Sequence, residues 1–183
     1  KIPLEYHNKV VISTNDEAII NKVKNKYPNF IIHYRSEENA SDTASTKECV
    51  EETVSDLSLD GNIILLPLTY PKRTWEDVVT IYEWFEKNSA ISLLCREEIK
   101  DHPYLCMYEI EDNKGKQLVK HNLYRRQDYP KCFRICHMVS IFKSNQLKNL
   151  NNNLYNENTD FYKIPYAVDV DTVEDLKRYE DGS

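Results

Sequence analysis

Glycine is scarce in this sequence, with three residues in 183. The loops that bring backbone N–H groups close to nucleotide phosphates need glycine at fixed spacing, and neither GxxxxGK[ST] nor GxGxxG occurs. The GxSxG and HExxH motifs of serine hydrolases and zinc proteases are also absent. The sequence therefore excludes a P-loop protein and a glycine-rich dinucleotide-binding fold.

The five cysteines form no CxxC pair. Cys132 and Cys136 lie in one apolar run, and because no second ligand pair follows at zinc spacing we interpret them as buried thiols. Free thiols are typical of a reducing cytosol. No apolar run approaches the length of a membrane span, and no signal peptide opens the sequence. We therefore expect a cytoplasmic protein that does not associate with membranes.

Clustered positive charge is also missing. The net charge is -6, and no stretch of five or six basic residues exists. A nucleic-acid groove needs a Lys/Arg surface that neutralises phosphates, so we expect no nucleic-acid partner. An acidic chain can still bind a nucleotide when Mg²⁺ bridges carboxylates and phosphates.

Up to Cys95, β-branched runs alternate with segments of helical periodicity. This alternation predicts an α/β domain with a mostly parallel sheet and helices on both faces. Ligands in such folds gather at the carboxyl ends of the strands. The predicted strands are 10–14, 30–34, 62–66 and 89–95, and the predicted helices include 18–27 and 75–87.

After Cys95 the pattern changes. Residues 104–110 alternate as in an antiparallel strand, a turn follows at Asn113-Lys114-Gly115, and residues 117–119 are predicted to return as its partner. Residues 132–142 are predicted to rejoin the main sheet. Residues 164–170 are predicted to form the last strand, and residues 172–179 the closing helix.

Asp169 and Asp171 flank one apolar residue where this last strand is predicted to end. On a regular strand their side chains would share one face. Two carboxylates a few ångströms apart suit Mg²⁺, which binds one or two carboxylates together with substrate phosphates. The alternative is structural: Asp171 or Thr172 caps the last helix, and Asp169 is a solvated strand end.

Three further polar clusters are candidates for anion binding. Each has a plain structural alternative, as a helix cap, a solvated arginine pair or a strand-to-helix connection. The clusters are Arg35 to Ser45, Tyr124 to Asp128 and Pro67 to Thr74. His102 and His137 are interpreted as structural residues, the second as a hydrogen-bonded residue of the core.

In their order and spacing, these segments resemble the acylneuraminate cytidylyltransferases, which comprise the CMP-sialic acid synthetases and their relatives for legionaminic and pseudaminic acids. The resemblance runs almost end to end. The matching segments are VVISTNDE (10–17), ASDTAS (40–45), TYPKRT (69–74), HPY (102–104), RRQDYP (125–130) and VDVDTVEDL (168–176).

The resemblance implies a nucleotidyltransferase of Rossmann-like fold. Such an enzyme transfers CMP from CTP to a nonulosonic acid with release of pyrophosphate, and residues 1–183 would form one such domain. It implies that Asp169 and Asp171 are catalytic and bind Mg²⁺, and that Arg126 is also catalytic. It places Arg35, Ser41, Asp42 and Ser45 at the nucleotide, and Arg73, Arg125 and Gln127 at the sugar. It further implies that residues 100–130, the arm, form a dimerisation segment of a homodimer.

The sequence departs from the family in three places. The family opens with a strand and a phosphate-binding loop, and Lys1–Tyr6, which precedes the Val10 strand, is too short for that loop and the family's first helix. Leu66-Pro67-Leu68 stands where the family has Gln before its Pro-Thr-Ser-Pro loop, and Cys136-His137-Met138 replaces Asn-Gly-Ala. These departures leave two alternatives open. One is a cytidylyltransferase for another acidic sugar such as Kdo, and the other is a noncatalytic nucleotide-binding or scaffold protein.

Overall fold

The computed structural model describes residues 1–41, 43–110 and 113–181. Four α-helices and eight strands, separated in places by short 3-10 turns, make up these ranges. The helices are α1 (Glu17–Lys26), α2 (Thr46–Asp56), α3 (Trp75–Lys87) and α4 (Val173–Glu180). The strands are β1 (Val11–Thr14), β2 (Ile31–Tyr34), β3 (Asn62–Leu65), β4 (Ser92–Glu98), β5 (Met107–Glu109), β6 (Gly115–Gln117), β7 (Phe133–Lys143) and β8 (Asp160–Lys163).

The larger sheet has the order β3-β7-β4-β8. The long strand β7 is antiparallel to both β3 and β4, so these two strands run in the same direction, and β8 is parallel to β4. A separate parallel pair is formed by β1 and β2. In the larger sheet β3, β4 and β8 therefore share one direction, as in the mostly parallel sheet that the sequence predicts, and β7 runs the opposite way.

Helices cover both faces of the larger sheet. Along β3, Ile63 packs in a cluster with Val50 of α2, whereas Ile64 packs in the cluster that contains Phe85 of α3. Because neighbouring side chains of a strand point to opposite faces, α2 and α3 lie on opposite sides. Residues of β4 and β7, including the fully buried Leu93 and Val139, form the centre of the core.

Polar caps determine where the helices begin. Asp16 accepts hydrogen bonds from Ala18 N and Ile19 N, as its position in the sequence predicts. Ser45, Thr74 and Thr172 each begin a helix through a reciprocal capping box. None of the helices in the described ranges is long and apolar enough to cross a membrane.

The last predicted strand is misplaced. Residues 164–170 are not a strand, because the strand that pairs with β4 is β8, which ends at Lys163. Pro165 follows after one residue, and proline cannot donate to a sheet ladder. Asp169 and Asp171 therefore lie on an irregular segment, and the argument that a regular strand places them on one face is wrong.

The arm contains the predicted antiparallel pair, but its first strand is shorter than expected and its second strand begins two residues earlier. Met107 pairs with Gln117 and Glu109 with Gly115. Pro103 begins a 3-10 turn over Pro103–Leu105, so the first strand starts three residues later than predicted. The structural interpretation of His102 is confirmed, since its Nε2 hydrogen-bonds to Pro130 O at 2.8 Å.

Candidate active site

Asp169 and Asp171 line one cavity of about 300 Å³. The loop after β3 forms one wall, with Pro67, Thr69 and Tyr70, and the N-terminal residue of α2, Thr46, contributes to another. The cavity therefore lies at the carboxyl end of β3 and beside a helix N-terminus. In α/β folds, ligands bind at this edge of the sheet.

Backbone and side-chain hydrogen bonds hold the two aspartates in place. Between them, Val170 N donates to Thr69 O at 2.8 Å and so attaches the segment to the loop after β3. On one side, Ala167 N donates to a carboxylate oxygen of Glu97 at 3.0 Å. On the other side, Thr172 caps α4. The capping role that the sequence left open between Asp171 and Thr172 therefore belongs to Thr172.

The carboxylate of Asp169 is incompletely satisfied. Its Oδ1 is buried and has no hydrogen-bond partner among the described residues. Burial raises the pKa of the Asp171 carboxyl, and the nearby carboxylates of Asp169 and Asp175 raise it further. A cation between Asp169 and Asp171 would satisfy the buried acceptor and offset the repulsion between the carboxylates, so these two residues could hold a divalent metal ion.

Tyr70 and His137 are two further polar side chains that line the cavity. Burial raises the pKa of the Tyr70 phenol, and its interactions with Cys136 and Asp169 add to that effect. Burial lowers the pKa of His137, whereas the nearby Asp169 acts in the opposite direction. The ring of His137 is half-buried in the cavity wall and makes no hydrogen bond among the described residues, so its predicted role as a hydrogen-bonded core residue is wrong.

The residues that we predicted at the nucleotide have local partners. Arg35 Nη2 donates to Ser13 O at 2.7 Å, which joins the residue after β2 to strand β1. Ser41 Oγ donates to Glu38 O at 2.7 Å, and Ser45 caps α2. None of Arg35, Ser41 and Ser45 lines the cavity of Asp169, although Thr46, next to Ser45, does. Asp42 lies outside the described residues.

The residues that we predicted at the sugar lie apart from the aspartates. Arg73 Nη1 donates to Pro67 O and to Met138 O, each at 2.8 Å, and the residue lines a second cavity. In the arm, Arg125 binds both carboxylate oxygens of Asp128, at 2.8 and 3.0 Å. Arg126 and Gln127 are exposed there. Neither described cavity includes these arm residues.

Sequence reasoning missed part of the cavity wall. Asn152, Asn153 and Leu154 line it, in an Asn-rich stretch that contains none of the matching segments. His137 is the other omission. On β7 it lies two residues from the buried Val139, and this position indicated the core. The sequence did not indicate that His137 faces this cavity.

Comparison with known proteins gives one curated relative. No family model matches the chain. The post-translational flagellin modification protein B of Campylobacter coli is 28% identical over 179 residues. The match covers 93% of this chain and 75% of that protein. Such a match extends through nearly all the elements described above.

Solved structures show the same fold. A CMP:2-keto-3-deoxy-manno-octonic acid synthetase in complex with CTP superposes with a TM-score of 0.65 at 12% identity, over 97% of this chain and 83% of that one. A 4-diphosphocytidyl-2C-methyl-D-erythritol synthase from Anaerococcus prevotii superposes with a TM-score of 0.63 at 15% identity, over 94% and 76%. The chain therefore has the nucleotidyltransferase-like, Rossmann-type α/β fold that the sequence predicts.

Proposed function

We propose that this protein is a cytidylyltransferase that transfers CMP from CTP to a nonulosonic acid and releases pyrophosphate. The buried Asp169 Oδ1, without a donor among the described residues, beside Asp171 is the observation that carries the proposal. A noncatalytic scaffold would gain nothing from keeping an unsatisfied carboxylate in a cavity, because an orphaned buried acceptor costs about 1–3 kcal/mol.

In the proposed reaction one bond forms and one bond breaks. A hydroxyl oxygen of the sugar attacks the α-phosphorus of CTP, a new P–O bond forms, and the P–O bond to pyrophosphate breaks while the hydroxyl proton passes to solvent. Asp169 and Asp171 would hold Mg²⁺, which supplies neutralisation of phosphate charge when bound. Positioning provides most of the catalysis in such transfers.

The comparisons support the proposal at two levels. One neighbour of the same fold is named as a CMP:2-keto-3-deoxy-manno-octonic acid synthetase in complex with CTP, and another as a 4-diphosphocytidyl-2C-methyl-D-erythritol synthase. The curated relative takes part in flagellin modification by name. The six sequence segments that resemble the acylneuraminate cytidylyltransferases favour a nonulosonic acid over other acidic sugars.

Incubation of the intact protein with CTP, Mg²⁺ and a panel of acids tests this function. The panel contains N-acetylneuraminic, legionaminic and pseudaminic acids and Kdo, and pyrophosphate release is measured. We expect release with at least one nine-carbon acid and loss of release in EDTA. No pyrophosphate with any member would disprove the proposal.

Kdo is the specific rival, because the solved structure with a TM-score of 0.65 acts on that eight-carbon acid. Kdo is shorter than the three nonulosonic acids of the panel and lacks their acylamino groups. Comparison of kcat/KM across the same panel separates them. A preference for Kdo would retain the enzyme class and replace the substrate.

We further propose that the protein is a homodimer assembled through its arm. The arm exposes a set of large apolar side chains that a two-stranded pair cannot bury by itself. A symmetric partner is the commonest way to cover such a surface. The set consists of Leu105 (48% exposed), Met107 (69%), Tyr108 (43%), Ile110 (55%) and Leu118 (58%).

Light scattering after size exclusion tests the assembly. We expect a dimer for the intact protein and a monomer for the double variant Leu105→Glu/Leu118→Glu. The matched control Leu4→Glu/Ile19→Glu adds the same charge to apolar residues that are exposed elsewhere, and it should remain dimeric. A monomeric unmodified protein at micromolar concentration contradicts the proposal.

A further inference from the structure

A second cavity, of about 270 Å³, lies between the start of α3 and residues 162–168. Three cationic side chains and one carboxylate line it, in a chain of net charge -6. The cations are Lys72, Arg73 and Lys163, and the carboxylate is Asp77. The cavity therefore concentrates positive charge on an acidic protein, and its volume is near the lower end of small-molecule sites.

Arg73 is a largely buried cation without a carboxylate partner in the described part of the chain. Burial lowers its pKa, and only Nη1 donates to carbonyl oxygens, those of Pro67 and Met138. Among the described residues, no carboxylate forms a salt bridge with its guanidinium. A buried charge needs a counter-ion to offset its desolvation, and the remaining N–H groups of Arg73 can donate to one.

The carboxylate in the cavity wall does not meet this need. Asp77 Oδ2 accepts from Thr74 N at 2.8 Å and from Thr74 Oγ1 at 2.7 Å, so it completes the capping box of α3. Asp77 keeps its negative charge and opposes part of the lowering of the pKa of Arg73, but no carboxylate of the described residues lies within salt-bridge distance of the guanidinium.

The remaining walls suit an organic anion better than a bare ion. Tyr70, Tyr162 and Tyr166 supply aromatic surface around the cationic group. Lys72 and Lys163 are exposed, where they can approach a ligand, although Lys163 also binds Glu98 at 2.6 Å. Tyr70 lines both cavities, so a ligand here would lie one side chain away from the cavity of Asp169.

We infer that this cavity binds a small organic anion, whose carboxylate or phosphate group pairs with Arg73 and with the two lysines. The site is separate from the cavity of Asp169 and Asp171. It goes beyond the proposed transfer reaction and does not require it, because neither CTP nor a divalent cation takes part.

Thermal unfolding in EDTA, without nucleotide, tests the site. Acetate and glycerol 3-phosphate serve as the carboxylate and phosphate probes, with chloride keeping the ionic strength constant. We expect Tm to rise and saturate with at least one probe, and the apparent Kd to increase about tenfold or more in Lys72→Gln/Lys163→Gln. This variant keeps Arg73, whose contacts to Pro67 and Met138 hold the local backbone.

The matched control Lys22→Gln/Lys87→Gln removes the same charge from exposed helix positions outside both cavities, and its Kd should equal that of the unmodified protein. Equal Kd values in the two double variants would overturn the site, as would a Tm that rises without saturation or does not change. Because no turnover is measured, this result stands whether or not the protein transfers CMP.

Discussion

Two acidic side chains in neighbouring regions of the molecule differ in how their charge is satisfied. Glu97 at the end of β4 is 1% exposed, but Arg134 donates to it from β7 and Ala167 N donates at 3.0 Å. Asp169, two residues beyond Ala167, has a buried oxygen without a partner among the described residues. The difference indicates that Glu97 is part of the framework that orients the segment, whereas Asp169 is available for a ligand.

Replacing Asp171 with Asn tests the ligand side of this comparison and should have the largest effect. The change removes one charge and keeps the size of the side chain. If Asp171 holds Mg²⁺, turnover should fall by a factor on the order of 10² to 10³, because the loss is in stabilisation of the developing charge.

The control is Asp160→Asn, an exposed aspartate that lines neither cavity and should retain normal turnover. Pyrophosphate release is the assay, and a thermal melt verifies that both variants are folded. Near-normal turnover of Asp171→Asn would end the metal-ligand assignment. Helix capping offers no other explanation for a loss, since Thr172 is the cap.

Replacing Arg134 with Met tests the framework side. It leaves Glu97 buried with Ala167 N as its one remaining donor among the described residues, and should lower the free energy of unfolding by about 2–3 kcal/mol. We expect less than the roughly 3–5 kcal/mol typical of a fully buried pair, because the side chain of Arg134 is 56% exposed.

Chemical denaturation measures this change. Arg178→Met is the control, since Arg178 contacts Asp175 at 3.7 Å on the surface of α4 and such pairs contribute about 0–1 kcal/mol. Equal losses in the two variants would show that Glu97 does not depend on Arg134.

Adding Mg²⁺ should distinguish Asp169 from Glu97 through a smaller change in stability. Binding to the folded state alone stabilises the protein by about 1.4 kcal/mol at ten times Kd. We expect this stabilisation in the unmodified protein and in Arg134→Met, but not in Asp169→Asn, as measured by Tm against Mg²⁺ concentration. Stabilisation that persists in Asp169→Asn would place the cation elsewhere.

Much of the fold was predictable because local signals and packing agree. Apolar faces and capping residues predicted α3 with its observed bounds, and β3 to within one residue. The last strand was predicted too late because an apolar run after Pro165 outweighed pairing with β4, and pairing depends on contacts far apart in sequence. The reversed direction of β7 also depends on such contacts.

The candidate site was predictable only in part. The short spacing of Asp169 and Asp171 indicated a cation site, and the structure brings both to one cavity. The family resemblance placed Arg73 at the sugar substrate, whereas the structure places it in the wall of the second cavity. His137, which stands where the family motif is replaced, and Asn152, which lies in no motif, join the site through the fold alone.

The smallest effect concerns the pH dependence of stability without metal. The pKa of Asp171 is raised in the folded state, by burial first and by Asp169 and Asp175 next. The folded state therefore binds more protons than the unfolded state between the ordinary Asp pKa of about 3.9 and the raised value, and stability falls as pH rises through this window.

Asp171→Asn lacks this titration, so in EDTA it should melt slightly above the unmodified protein at pH 7. The difference should vanish below the ordinary pKa, where the carboxyl is neutral in both states. Asp160→Asn, at a carboxyl outside both cavities, should show no such trend. A lower Tm for Asp171→Asn at pH 7 would mean that Asp171 stabilises the fold as Glu97 does, and the contrast between the two regions would fail.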